Sequence, residues 1–236
     1  MNNAFEKEEK YKLYRTVREI LHPTISKKNI SDYKIIVDDN LLPLRIFYPQ
    51  KVSNMNKVTI YIHGDILLTN CKAKYAEISN KIALNTDNLV ISIDAEELNN
   101  VTNKKYINKM YETTKYLIEE LYKLNITNIK LLGDSTGSTT ILNFKDKLKI
   151  DNLNLKTILF YPVLSSKYIT KKTKMNKDIY KDSLIIIGTQ DEYFEEIKNY
   201  TNNVVEIPNM KHGFLKVQNE TVKKIYIEAI KDFIKE

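Results

Sequence analysis

Apolar positions along this chain fall into two periods. Tyr33-Lys34-Ile35-Ile36-Val37-Asp38 and Leu42-Pro43-Leu44-Arg45-Ile46-Phe47-Tyr48 read as two extended segments joined at Asp38-Asp39-Asn40, a hairpin. Compact apolar runs occur next at Val58–Ile62, Asn88–Asp94, Ile129–Leu132, Lys156–Tyr161 and Ser183–Gly188, with a weaker one at Asn203–Ile207. Between them the period lengthens. Residues 72–85 suit a helix, and residues 103–124 hold Ile107, Met110, Tyr111, Thr114, Leu117, Ile118, Leu121 and Leu124 on one helical face. Residues 218–235 repeat the pattern with Val222, Ile225, Tyr226, Ala229, Ile230 and Phe233. Residues 5–22 carry Leu13, Tyr14, Val17, Ile20 and Leu21 and end near Pro23. Strands alternating with helices predict an α/β protein: a doubly wound, mostly parallel sheet in a three-layer αβα sandwich, with the hairpin as its antiparallel edge. A single domain over residues 1–236 is expected, with the helical segment 1–30 packed on it. Residues 162–181 are the least regular stretch and are expected to be partly mobile.

Composition narrows the function classes. Hydrophobic residues make up 42%, enough for a substantial core. No apolar run approaches the ~18 residues that read as a membrane span, and the charged start Met1–Lys10 lacks a signal-type apolar core. A cytoplasmic protein without stable membrane insertion is expected. The one cysteine, Cys71, allows no internal disulfide and no multi-cysteine metal site. Net charge is +7, but the lysines are dispersed among glutamates, with no dense basic block and no nucleic-acid-binding signature. Solvated faces rather than a nucleic-acid partner explain that charge.

The chemistry concentrates at Ile129-Lys130-Leu131-Leu132-Gly133-Asp134-Ser135-Thr136-Gly137-Ser138. A short strand runs into Gly-x-Ser-x-Gly and then into helix-like text. That shape is a nucleophile elbow, in which glycines make room for a strained turn that exposes a serine Oγ above the sheet. With only five glycines in the chain, two of them bracketing this serine carry weight. The helix start beyond it directs backbone N–H groups and a positive dipole end toward whatever the serine attacks.

Serine is a weak nucleophile near neutral pH and needs a base, which in turn needs an orienting acid. In sheets of this kind the active groups gather at the carboxyl ends of strands. Gly188-Thr189-Gln190-Asp191 and Asn209-Met210-Lys211-His212-Gly213-Phe214 both come directly after strands, and they offer Asp191 as acid and His212 as base. The order Ser135, Asp191, His212 is that of the α/β-hydrolase triad. Of the other two histidines, His22 lies in the N-terminal segment and His63 ends the third strand, where this architecture builds the oxyanion hole. Glu192 and Glu195 are the alternative orienting acids, and a helix-capping role competes for Asp191.

These segments together resemble the hormone-sensitive-lipase-like carboxylesterases of the α/β-hydrolase superfamily, collinearly from about residue 33 onward. Leu44-Arg45-Ile46-Phe47-Tyr48-Pro49 is similar to that family's early strand, and His63-Gly64 to the start of its His-Gly-Gly-Gly motif. Gly133-Asp134-Ser135-Thr136-Gly137-Ser138 is similar to its Gly-Asp-Ser-Ala-Gly-Gly, and Phe160-Tyr161-Pro162-Val163-Leu164 to the strand beyond the elbow helix. Gly188-x-x-Asp191 and His212-Gly213-Phe214 match its acid and base segments.

The resemblance implies an oxyanion hole of backbone N–H groups: Asp65, with Gly64 or Ile66, and Thr136 after the nucleophile. The chain departs from the family in three places. The glycine run becomes Gly64-Asp65-Ile66, and a carboxylate facing the hole would oppose a developing oxyanion. Asp94-Ala95-Glu96-Glu97-Leu98 replaces the family's text after the fourth strand. The short stretch between Pro162 and Ser183 leaves a minimal or absent cap, which implies an open site. The implied activity is hydrolysis of a small-molecule carboxylic ester, most readily a short-chain one, with neither metal nor organic cofactor. The alternatives are a thioesterase or peptidase of the same fold, or a catalytically weak relative that binds a ligand.

Overall fold

The computed structural model describes residues 30–37, 40–50, 56–64, 72–93, 103–148, 153, 155–217 and 219–235. Among the described residues, eight strands form one sheet: β1 (Ile30–Val37), β2 (Asn40–Phe47), β3 (Lys57–Ile62), β4 (Leu89–Ile93), β5 (Asn128–Asp134), β6 (Lys156–Phe160), β7 (Ser183–Gly188) and β8 (Val204–Ile207). Their order is β1-β2-β4-β3-β5-β6-β7-β8. The β1–β2 hairpin is antiparallel, β2 joins β4 antiparallel, and the pairings from β4 to β8 are parallel. The expected mostly parallel sheet with an antiparallel edge is therefore the architecture found.

The apolar runs become central strands because they are buried on both faces. Val58, Ile60, Ile62, Val90, Ile91, Leu131, Leu132, Ile158, Leu159 and Ile185–Ile187 are all buried. The helices supply the covering layers: α1 (Lys72–Thr86), α2 (Asn103–Lys123), α3 (Thr136–Phe144), the short α4 (Lys171–Met175) and α5 (Phe194–Lys198), and α6 (Glu220–Lys235). The stripes on α2 and α6 read from the sequence are the faces that go inward, with Met110, Leu117, Ile118 and Leu121 on α2 and Val222, Tyr226, Ile230 and Phe233 on α6.

Residues 162–181 differ from expectation. They hold α4 and a 3₁₀ turn at Lys177–Tyr180, and long-range polar contacts anchor them. The Thr139 hydroxyl donates to Val163 O at 2.8 Å, and the Val163 N–H returns a bond to it at 2.9 Å. Asn143 reaches Tyr168 O, Lys174 pairs with Glu196, and the Tyr180 ring stacks on Tyr200. The partners lie on α3 and around α5, so local composition does not reveal them. The N-terminal segment 1–29, Cys71, the Asp38-Asp39 turn and Asp94–Leu98 lie outside the described residues.

Candidate active site

β5 delivers Ser135 to the carboxyl edge of the sheet. Ser135 has φ 50 and ψ −124, a conformation that costs energy for a side-chain-bearing residue and persists only where its surroundings impose it. Two features impose it here. The Ser135 N–H donates to Phe160 O at 3.0 Å, and α3 begins at the next residue. Gly137 lets that helix press against the end of β3, since a Cβ there would lie 2.1 Å from Ile62 O.

The loops after β7 and β8 meet the serine. Ser135 Oγ lies 2.9 Å from His212 Nε2, and His212 Nδ1 lies 2.9 Å from Asp191 Oδ2. The Asp191 side chain is fully buried, whereas the imidazole keeps about a third of its surface exposed. Asp191 does not cap the helix, whose N-cap is Tyr193 with no side-chain bond; its Oδ1 instead accepts the Tyr193 N–H at 3.0 Å and closes the turn ahead of α5. One carboxylate oxygen thus builds the turn while the other is left for the histidine. Glu192 and Glu195, the alternative acids, are exposed. Tyr161, itself at φ 33 and buried, sets its ring edge-on to the imidazole with centroids 4.8 Å apart. The sequence pattern had not singled Tyr161 out, and its positive φ is invisible to apolar periodicity.

His63 stands apart from the serine's partners. Its ring stacks on Tyr75 at 4.5 Å, and its Nδ1 lies 2.8 Å from the Gly64 carbonyl. Beside it, Asp134 is buried and accepts two bonds on Oδ1, from the Tyr61 hydroxyl at 2.7 Å and from the Gly64 N–H at 2.8 Å. Burial first, then the Asp134 charge, push the Tyr61 phenol well above its ordinary range, so it stays protonated and donates.

That second bond changes the expected oxyanion hole. Gly64 was one of three candidate donors, but its N–H is given to Asp134. The bond is charge-assisted, and the tight approach of Gly64 to Asp134 and Ser135 holds it in place. Thr136 keeps its candidacy. As the first residue of α3, its N–H belongs to the unpaired leading donors of the helix. Asp65 and Ile66 lie outside the described residues.

A cavity of about 180 Å³ adjoins the site, lined among others by Asp134, Tyr161, Tyr75, Leu215 and Tyr226, with Lys81, Lys216 and Lys223 at its walls.

No protein-family model matches the sequence, and no curated protein matches it. Solved structures do. EstE1, a thermophilic carboxylesterase cloned from a metagenomic library, aligns with a TM-score of 0.67 at 17% identity over 95% of this chain and 96% of its own. The Francisella virulence factor BioJ aligns at 0.63 and 19% identity over 95% and 90%. A thermostable esterase from Pseudomonas putida aligns at 0.68 and 14% identity over 94% and 89%. Likeness at this identity and coverage is likeness of fold, and this chain has the α/β-hydrolase fold.

Proposed function

We propose that the chain is a serine hydrolase of carboxylic esters, with Ser135 as nucleophile, His212 as general base and Asp191 as the acid that orients it. The observation that carries this reading is the unbroken line from Ser135 Oγ through His212 to Asp191 on a strained serine. In the first step the serine oxygen bonds to the acyl carbon while its proton passes to His212 Nε2. The protonated imidazole then gives that proton to the departing alkoxide as the C–O bond breaks. Water attacks the acyl-serine with His212 taking its proton; the acyl C–Oγ bond then breaks, the proton returns to Ser135 Oγ, and the carboxylic acid leaves. The backbone N–H groups of Thr136 and Asp65 are the proposed donors to the tetrahedral oxygen.

Esterase neighbours of the same fold support an ester over other acyl substrates. The short stretch between Pro162 and Ser183, which leaves little chain for a cap to grip a long acyl group, supports a short one. A second reading, a catalytically weak relative that binds its ligand without turning it over, draws on the donation of the Gly64 N–H to Asp134, which removes one oxyanion donor.

Fluorophosphonate labelling with turnover of p-nitrophenyl acetate, butyrate and octanoate separates the two. Labelling of Ser135 with faster turnover of the short esters is expected. Labelling without measurable turnover of any ester, thioester or peptide would move the assignment to the binding protein.

A further inference from the structure

The amino edge of the sheet carries a second cluster of charge. Alternation along β5 sends Asn128, Lys130, Leu132 and Asp134 to one face, and Asp134 shares the cavity there with Tyr75 of α1 and Tyr226 of α6. Neighbouring strands are in parallel register, with Lys57 opposite Asn128 and Lys130 opposite Lys156. Residues in register share a face, so Lys57, Lys130 and Lys156 crowd one end of the layer beneath α1 and α6. Lys156 is provided for. Its Nζ donates to Phe233 O at 3.2 Å in the last turn of α6 and sits 5.0 Å from the centroid of the Phe233 ring.

Lys130 has no such provision. It is only 4% exposed, yet among the described residues it has no hydrogen-bond or ion-pair partner. The charges acting on it are Lys156 and Lys57, with no carboxylate among them. Burial and these like charges lower its ammonium to about 8, which still leaves it cationic at neutral pH. A buried cation ordinarily has an acid beside it. On the same strand and face, Asn128 Oδ1 is buried and lacks any hydrogen-bond partner among the described residues. The edge therefore combines uncompensated positive charge with an unmet acceptor.

We propose that this edge binds a phosphate group, with Lys57, Lys130 and Lys156 holding its charged oxygens and the Asn128 carboxamide accepting its O–H. Hydrogen phosphate has both features near neutral pH: two negative charges and one hydroxyl. The site lies at the opposite end of the strands from Ser135 and is independent of the proposed hydrolysis.

The test is thermal unfolding and calorimetric titration of the full chain with inorganic phosphate, sulfate and chloride at equal ionic strength and pH 7.5. Phosphate should raise the melting temperature saturably, sulfate less, and chloride not at all. Lys130→Met keeps the stem and removes the charge. It should melt higher than wild type in phosphate-free buffer and weaken phosphate binding tenfold or more. Should that variant fail to fold, Lys57→Met, at a half-buried position, should weaken binding severalfold. Glycerol 3-phosphate, a dianion with no phosphate O–H at this pH, should bind in a Lys130-dependent way but more weakly than free phosphate, and equal or tighter binding overturns the Asn128 contact. Phosphate acting no differently from chloride, or binding unchanged in the lysine variants, overturns the proposal.

Discussion

The two edges of this sheet treat charge in opposite ways. At the carboxyl edge the buried carboxylates are met from several sides: Asp191 by His212 and the Tyr193 N–H, Asp134 by Tyr61 and the Gly64 N–H. At the amino edge strand register stacks three lysines on one face, and Lys130 meets only other cations. Register alone decides which side chains become neighbours and is indifferent to their charge. Pairing is supplied by the loops. Those after β7 and β8, and the turn after β3, fold back over the carboxyl ends and bring partners with them. A preorganised site belongs where chain returns to the sheet and brings partners to its charges.

The carboxyl edge should break most completely at its proposed nucleophile. Ser135→Ala should cost ~10³-fold or more in kcat/KM on p-nitrophenyl acetate, because the serine, histidine and acid act as a unit. Asp191→Asn should cost ~10³–10⁴-fold with little change in melting temperature. The carbonyl oxygen of the introduced carboxamide can keep the bond to the Tyr193 N–H, while its NH₂ meets His212 Nδ1 and enforces the wrong tautomer. A fully active Asp191→Asn variant would reduce this residue to a turn cap.

Asp134 sharpens the comparison by putting an unmet group on the well-matched edge. Asp134→Ala leaves the Tyr61 hydroxyl and the Gly64 N–H buried without their acceptor. Each of the two orphaned donors costs ~1–3 kcal/mol, so a loss of about 2–6 kcal/mol by urea unfolding is expected. The turn at His63-Gly64 also loses its anchor, so kcat should fall more than KM rises. Unchanged stability would mean that water or a neighbour replaces the carboxylate and that the turn does not depend on it.

These contrasts explain which features were legible in the sequence. The strands were readable because central parallel strands are apolar on both faces, and the elbow because a strained serine needs its glycines. Asp191 and His212 were chosen as candidates by position after strands, and the structure brings both side chains to Ser135. The fate of the Gly64 N–H was not readable, because the acceptor of a backbone donor is fixed by tertiary approach. Nor was the anchoring of residues 162–181, whose partners Thr139, Asn143, Glu196 and Tyr200 are distant in sequence. Lys130 inside an apolar run looks like a lysine reaching out of a core edge. Its isolation emerges only when the register of β5 with β6 places Lys156 beside it.

The smallest expected effect distinguishes the edges by pH. Lys130 and Lys145 are both lowered to about 8, chiefly by burial, against an ordinary 10.5. Between those values the unfolded chain binds more protons than the folded one, so folding stability should rise with pH above about 8. The shift of Lys130 corresponds to ~3 kcal/mol at most, from 1.36 kcal/mol per unit, and solvent screening of its ammonium reduces the expected gain to ~1 kcal/mol. Above about pH 10 the sign reverses. Tyr61 and Tyr106 are fully buried and raised well above their ordinary 10.0, so the unfolded chain then loses protons that the folded chain retains. Stability should therefore peak at about pH 9–10 rather than in the neutral range. Lys130→Met should flatten the ascending limb while leaving the share of Lys145, whose Nζ donates to Ile179 O and Ser183 Oγ. Saturating phosphate should flatten the same limb in wild type, because an anion at the amino edge raises the ammonium back toward its ordinary value. Urea unfolding from pH 7 to 10.5 measures both. An ascending limb that Lys130→Met leaves intact would assign the slope to Lys145 and remove the energetic contrast between the two edges.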